Sequence, residues 1–151
     1  MPVRTAYAGA AVSGEVLTAA NMNKMAGGWI GYAEVTANQT GITAVTDLTG
    51  LSVAVTVGTS RRLRVTGFIH IGNVAGSSIS FAIKEGATTL QDAVANSVAG
   101  ANWTMAVHTV LTPTAGAHTY KLTLAGSSAT DMLAAATYPA FILVEDIGPA
   151  T

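Results

Sequence analysis

From residue 29 almost to the C-terminus, apolar side chains recur at every second position, a period that suits half-buried β-strands and not amphipathic helices. Leu51, Val53, Val55 and Val57 alternate with Ser52, Ala54 and Thr56. Leu63, Val65, Ile69 and Ile71 alternate with Arg62, Arg64, Thr66 and His70, with Gly67 between them as a bulge or a point of close packing. Ile79, Phe81 and Ile83 repeat the pattern, as do Trp103, Met105, Val107, Thr109 and Leu111, and then Tyr120, Leu122 and Leu124. Residues 29–35 open this region. Residues 141–147 (FILVEDI) close it and are apolar on both phases in their first half, as in a central or an interface strand.

Turn chemistry separates the strands at Gly58-Thr59-Ser60, at Asn73 to Ser78, at Glu85-Gly86, at Pro113 to Gly116 and at Gly126-Ser127-Ser128. Residues 130–136 are the one later stretch that reads as a short helix, stopped at Thr137-Tyr138-Pro139 because the residue before proline avoids helical dihedrals. Seven or eight short strands at spacings of about 8–15 residues define an antiparallel β-sandwich or barrel. The domain is expected over residues 29–151.

Residues 1–28 differ. They are rich in alanine and glycine, carry only Arg4, Glu15 and Lys24, and show no sustained alternation. Thr18 is placed to cap a short helix over residues 19–25, which Gly27-Gly28 ends. A segment with so little side chain to bury cannot order itself, so it reads either as a disordered tail or, the reading adopted, as an extended arm held by a partner. Tyr7, Val12, Val16, Leu17 and Met22 are its expected anchors, with Asn21 and Asn23 able to satisfy a partner's backbone. The opening MPVRTAYAGAAVSGEVL has no continuous apolar run after Arg4 and does not read as a secretory signal.

Composition bears on assembly. Half the residues are apolar and only 10% are charged, against an ordinary quarter. Charge therefore covers little of the surface, and long apolar strands left bare would invite aggregation. Burial against other chains is the better reading. The net charge of −1 gives no global field toward nucleic acid or anionic lipid, and no apolar run is long enough to span a bilayer as a helix. With no cysteine, disulfides and thiolate metal sites are excluded.

Catalytic patterns are missing as well. His70, His108 and His118 lack close-spaced partners for a metal. No G-x-S-x-G elbow occurs, and the adjacent acids Glu145 and Asp146 fall on opposite faces of a strand, unsuited to a carboxylate pair. The chain reads as a non-enzyme without cofactor or metal. Arg61, Arg62 and Arg64 form the one charge cluster, a secondary contact to an acidic partner or, more simply, a solvated edge or salt bridge to Glu145 or Asp146. Three arginines are few for tracking phosphates. Trp29 and Trp103 fit a buried core or arm-docking role better than a sugar platform.

The stretch Gly14-Glu15-Val16-Leu17-Thr18-Ala19-Ala20-Asn21-Met22-Asn23, followed by Gly27-Gly28-Trp29-Ile30, resembles the leader of small virion proteins of tailed bacteriophages infecting actinobacteria. Arg61-Arg62-Leu63-Arg64-Val65, residues 115–122 (AGAHTYKL) and residues 139–149 (PAFILVEDIGP) are similar to the same proteins. The resemblance spans residues 14–149. It implies a jelly roll like that of tumour-necrosis-factor and complement-head domains, which typically assemble as trimers. It further implies a virion component assembled in the host cytoplasm: a head decoration protein on the capsid, or alternatively a minor tail or fibre head protein that binds host-surface glycan. Expected partners are further copies of the chain, through Phe141, Ile142 and Val144, and the major capsid protein or another virion protein, through the arm. Nucleic acid and membrane are not expected.

Overall fold

The computed structural model describes residues 27–72, 76–96 and 98–150. The expected helix over residues 19–25 and the arm contacts Tyr7, Val12, Val16, Leu17, Asn21, Met22 and Asn23 lie outside the described residues, as do residues 73–75 of the expected turn.

Ten strands form two antiparallel sheets. In chain order they are β1 (Gly28–Val35), β2 (Gln39–Ile42), β3 (Thr46–Val57), β4 (Arg61–Gly72), β5 (Ser78–Glu85), β6 (Thr88–Asn96), β7 (Trp103–Leu111), β8 (Gly116–Gly126), β9 (Thr130–Leu133) and β10 (Ala140–Pro149). One sheet runs β1-β10-β4, continues through β9 to β2, and carries β7 on the other flank of β4; the second runs β3-β8-β5-β6. The chain changes sheets between β2 and β3, β3 and β4, β4 and β5, β6 and β7, β7 and β8, and β8 and β9. This is jelly-roll connectivity, as expected.

Alternation explains the layers. Leu63, Val65, Ile69 and Ile71 of β4, Met105 and Val107 of β7, and Ile142 and Val144 of β10 point into the sandwich and are buried. They meet Leu51, Val53, Val55 and Val57 of β3, Ile79, Phe81 and Ile83 of β5, and Tyr120, Leu122 and Leu124 of β8. Each such aliphatic side chain contributes about 1.5–3 kcal/mol when fully withdrawn from water. Gly67 is the close-packing point and not a bulge. Its pairing continues unbroken to Ile142 on one side and Val107 on the other. A Cβ there would stand 3.2 Å from the Phe81 ring and closer still to Leu122.

Two expectations are corrected. Residues 130–136 form no helix: Thr130 and Met132 are buried while Asp131 and Leu133 are half-exposed, the alternation of strand β9. Backbone pairing to the end of β4, with Asn38 Oδ1 accepting from the Ala134 amide at 2.8 Å, outcompetes a single helical turn. The strand 141–147 is central, between β1 and β4. Ile142 and Val144 are therefore core residues with no exposed surface, unavailable to another copy. Only Phe141, with Leu143, faces outward. Strands β2 and β6 were not anticipated.

Candidate assembly face and adjoining cleft

The outward phase of the β7-β4-β10-β1 sheet carries rings. Registry sets Phe141 beside Phe68 and Glu34, and Leu143 beside Tyr32. Trp29 and Tyr32 of β1 stack at 6.0 Å and 18°, and Tyr32 lies 6.0 Å from Phe141. Phe141 stacks on Phe68 at 5.3 Å and 15°. Phe68 then meets His70 edge-on at 5.1 Å, and His70 meets Tyr138 edge-on at 5.3 Å. Six rings from β1, β10, β4 and the β9–β10 turn thus touch in series. Trp29 is 70% exposed, Tyr32 46% and Tyr138 44%, with Ile30 and Val110 open on the same sheet. Such a stacked surface is large, rigid and only partly wetted.

This arrangement corrects one reading and extends another. Trp29 is not core. Trp103 does pack against the core, from the inward phase of β7. Of the expected interface set, only Phe141 lies on this face. Trp29, Tyr32, Phe68 and Tyr138 were not singled out for assembly, although Tyr32, Phe68 and Phe141 occupy polar-phase positions where large rings have no business in a monomer's surface. Tyr32 also donates its hydroxyl to Glu34 Oε2 at 2.6 Å, which raises the phenol's pKa through that bond, then through burial and the carboxylate charge.

The arginine cluster is largely satisfied within the chain. Arg61 binds Asp146 at 2.7 Å with both side chains nearly buried, and Asp146 Oδ1 also accepts from the Gly148 amide at 3.0 Å. Arg64 binds Glu145 at 2.8 Å, and that bond and the carboxylate charge push its pKa up. Leu63 points inward between Arg62 and Arg64, as the alternation requires. Arg62 makes no ion pair among the described residues.

At the opposite end of β8, His118 faces two acceptors: Nδ1 lies 2.6 Å from Glu85 Oε1 and Nε2 lies 2.8 Å from the Thr114 carbonyl. Only the imidazolium donates to both, so its pKa is raised, chiefly by the Glu85 bond and then by the Thr114 carbonyl. Tyr120 stacks on the imidazole, and its phenol is pushed up to about 12 by burial and then by Glu85. The three histidines stay apart, and among the described residues no group of three or more potential ligands gathers.

Where the ring series ends, a cleft of about 360 Å³ opens between His70, Asn102, Trp103, Thr104, Leu133 and Tyr138.

No protein-family model and no curated protein sequence matches the chain. Among solved structures, Eiger TNF from S. frugiperda superposes with a TM-score of 0.55 over 82% of this chain and 96% of that one, at 15% identity. The shared feature is the fold: an all-β, antiparallel, TNF-like jelly roll.

Proposed function

We propose that the protein is a non-enzymatic structural component of a tailed-phage virion, a homotrimeric head decoration protein. The observation that carries self-assembly is the run of rings Trp29, Tyr32, Phe141 and Phe68 on the β10-β4-β1 face; His70 and Tyr138, at the end of the series, border the cleft and stay outside the buried area. Stacked aromatics with a polar opposite face suit a domain that buries one side against its own copies. Threefold symmetry and the virion setting rest on the sequence resemblance. In this reading the arm of each copy lies over neighbouring capsid subunits, and three arms per trimer add modest contacts through effective concentration. A clip across subunit boundaries resists the outward strain of packed DNA.

Deleting residues 2–26 tests the attachment. The truncated chain should remain folded and oligomeric but no longer sediment with heads or virions. Stoichiometric binding by the truncated chain would move the contact to the sandwich, with Arg62 as the leading candidate and Arg61 and Arg64 beside it. Copy number separates head from tail: hundreds per virion fit decoration, a handful fits the alternative of a minor tail or fibre head protein. The open cleft beside Tyr138 is the specific observation favouring that second reading, since a fibre head binds host-surface glycan.

A further inference from the structure

The cleft follows from a mismatch in strand lengths. Strand β10 pairs with β4 only from Arg61 to Phe68, so the last residues of β4 are flanked by short β9 instead. Before entering β10 the chain turns, with Ala135 and Tyr138 exchanging backbone hydrogen bonds of 3.0 and 3.3 Å. That turn sets the Tyr138 ring beside His70 and leaves a hollow between it and the start of β7. Gly72 keeps the base of the hollow in shape. A Cβ at this position would lie 2.8 Å from Asn102 Oδ1 and collide with Leu133.

The polar groups around the hollow are unspent. His70 is oriented by Nδ1, 3.2 Å from Thr104 Oγ1, and by edge contacts to Phe68 and Tyr138. Its Nε2, the Asn102 amide and the Tyr138 hydroxyl make no hydrogen bond among the described residues. Trp103, one wall of the cleft, keeps its indole N–H buried without an acceptor. Among the described residues, no Lys, Arg, Asp or Glu lines the space.

These features select a ligand class. Without a lining charge, an ionic ligand gains no partner. A wholly apolar ligand would strip water from the Asn102 amide and the His70 imidazole and return nothing. A flat aromatic ligand needs parallel walls, whereas the His70 and Tyr138 rings stand at 78°. A molecule with an apolar C–H face and a rim of hydroxyls fits both kinds of group, and the volume lies toward the small end of ligand sites. We propose that this cleft binds a neutral saccharide, its C–H face on Tyr138 and its hydroxyls toward the Asn102 amide and His70 Nε2. The site belongs to the domain itself and holds for either virion location.

Titration of the full chain with methyl glycosides of glucose, galactose, mannose and N-acetylglucosamine tests this, with glucuronate as the charged control. Binding is read by calorimetry and by the indole NMR signal of Trp103, assigned with Trp103→Phe. Saturable binding of at least one neutral glycoside is expected with a Kd of about 1 mM, the weak end of specific recognition. Tyr138→Ala and Asn102→Ala should each weaken it about tenfold or more, a loss of roughly 1.4 kcal/mol, while Tyr138→Phe retains most of it. Should Tyr138→Ala misfold, Asn102→Ala decides. No shift of the Trp103 signal by any neutral glycoside, stronger binding of glucuronate, or binding unchanged in Asn102→Ala would overturn the proposal. Light scattering on the same samples separates the two readings, because a monomer that binds sugar leaves this site standing while removing the assembly face.

Discussion

The two outer faces of the sandwich are built on the same alternation and carry opposite chemistry. On the β3-β8-β5-β6 sheet the outward phase is Ser52, Ala54 and Thr56, then Ala117, Thr119 and Lys121, then Ser80, Ala82 and Lys84, then Asp92 and the exposed Val94. Its ion pair, Lys121 to Asp47 at 2.7 Å, stands in solvent. The outward phase of the other sheet carries Arg62, Arg64 and Glu145 at one end and the rings and Leu143 toward the other, Tyr32, Phe68, His70 and Phe141 among them. Both sheets contribute equally apolar inner faces, so the fold does not require this difference. In the proposed assembly, the rings on one face are the surface that other copies cover, while the small and polar side chains of the other face stay in water.

Substitutions that reverse the phase of a single strand break this comparison most sharply. We predict that Ile142→Asp abolishes folding, because a carboxylate placed in the core costs several kcal/mol against a domain stability of about 5–15 kcal/mol. Circular dichroism should show the loss of the cooperative melt. One residue away, Phe141→Asp combined with Tyr32→Asp should leave a folded chain, since both side chains already face outward. A melt as damaged as that of Ile142→Asp would mean that the ring face belongs to the monomer's own stability.

The two arginine pairs sharpen the comparison at smaller scale. Arg61→Ala leaves Asp146 nearly buried without its partner and should cost about 2–3 kcal/mol in urea denaturation. Arg64 is half-exposed, and Arg64→Ala should cost less than about 1 kcal/mol. Equal costs would show that burial does not rank these pairs.

The smallest effect concerns pH. The folded-state pKa of His118 lies above its ordinary 6.5. Its contribution to stability is therefore complete below 6.5 and is lost as pH rises through the raised folded value. Denaturation midpoints across that window should fall with rising pH in the wild type and lose this component in His118→Gln. A wild-type stability that rises there, with no difference from His118→Gln, would mean that the imidazole does not donate to both Glu85 and Thr114.

Much of the fold was legible because period-two alternation with strong β-formers marks a strand wherever one face is buried. The inward residues of β4, β5 and β8 and those of β3 from Leu51 onward were readable in this way, whereas Leu48, ahead of the break in alternation, was not. Strand β6 was not, because it is an edge strand whose partly buried positions are Leu90, Ala93 and Ala95, too small and too few to announce a core phase. Strand β9 was misread as helix because a four-residue strand followed by three alanines carries more helical than extended propensity, and only its long-range pairing to β4 overrules that. A salt bridge from the arginine cluster to Glu145 or Asp146 was one of the readings the sequence offered, but which arginine meets which acid is set by the registry of β10 on β4. The assembly face was legible only in part. Phe141 does face outward, but its neighbours Ile142 and Val144 were named with it because an apolar run does not reveal which phase is outward. The ring series needed the registry of β1, β10 and β4, which no single segment encodes.

Light scattering after gel filtration at micromolar concentration tests the central claim most directly, run on the wild-type chain beside the Tyr32→Asp/Phe141→Asp double variant. The account predicts a wild-type particle of three chains of 15.2 kDa each and a double variant that elutes folded as a single chain. A monodisperse wild-type monomer, or a double variant that still forms the wild-type particle, would contradict it.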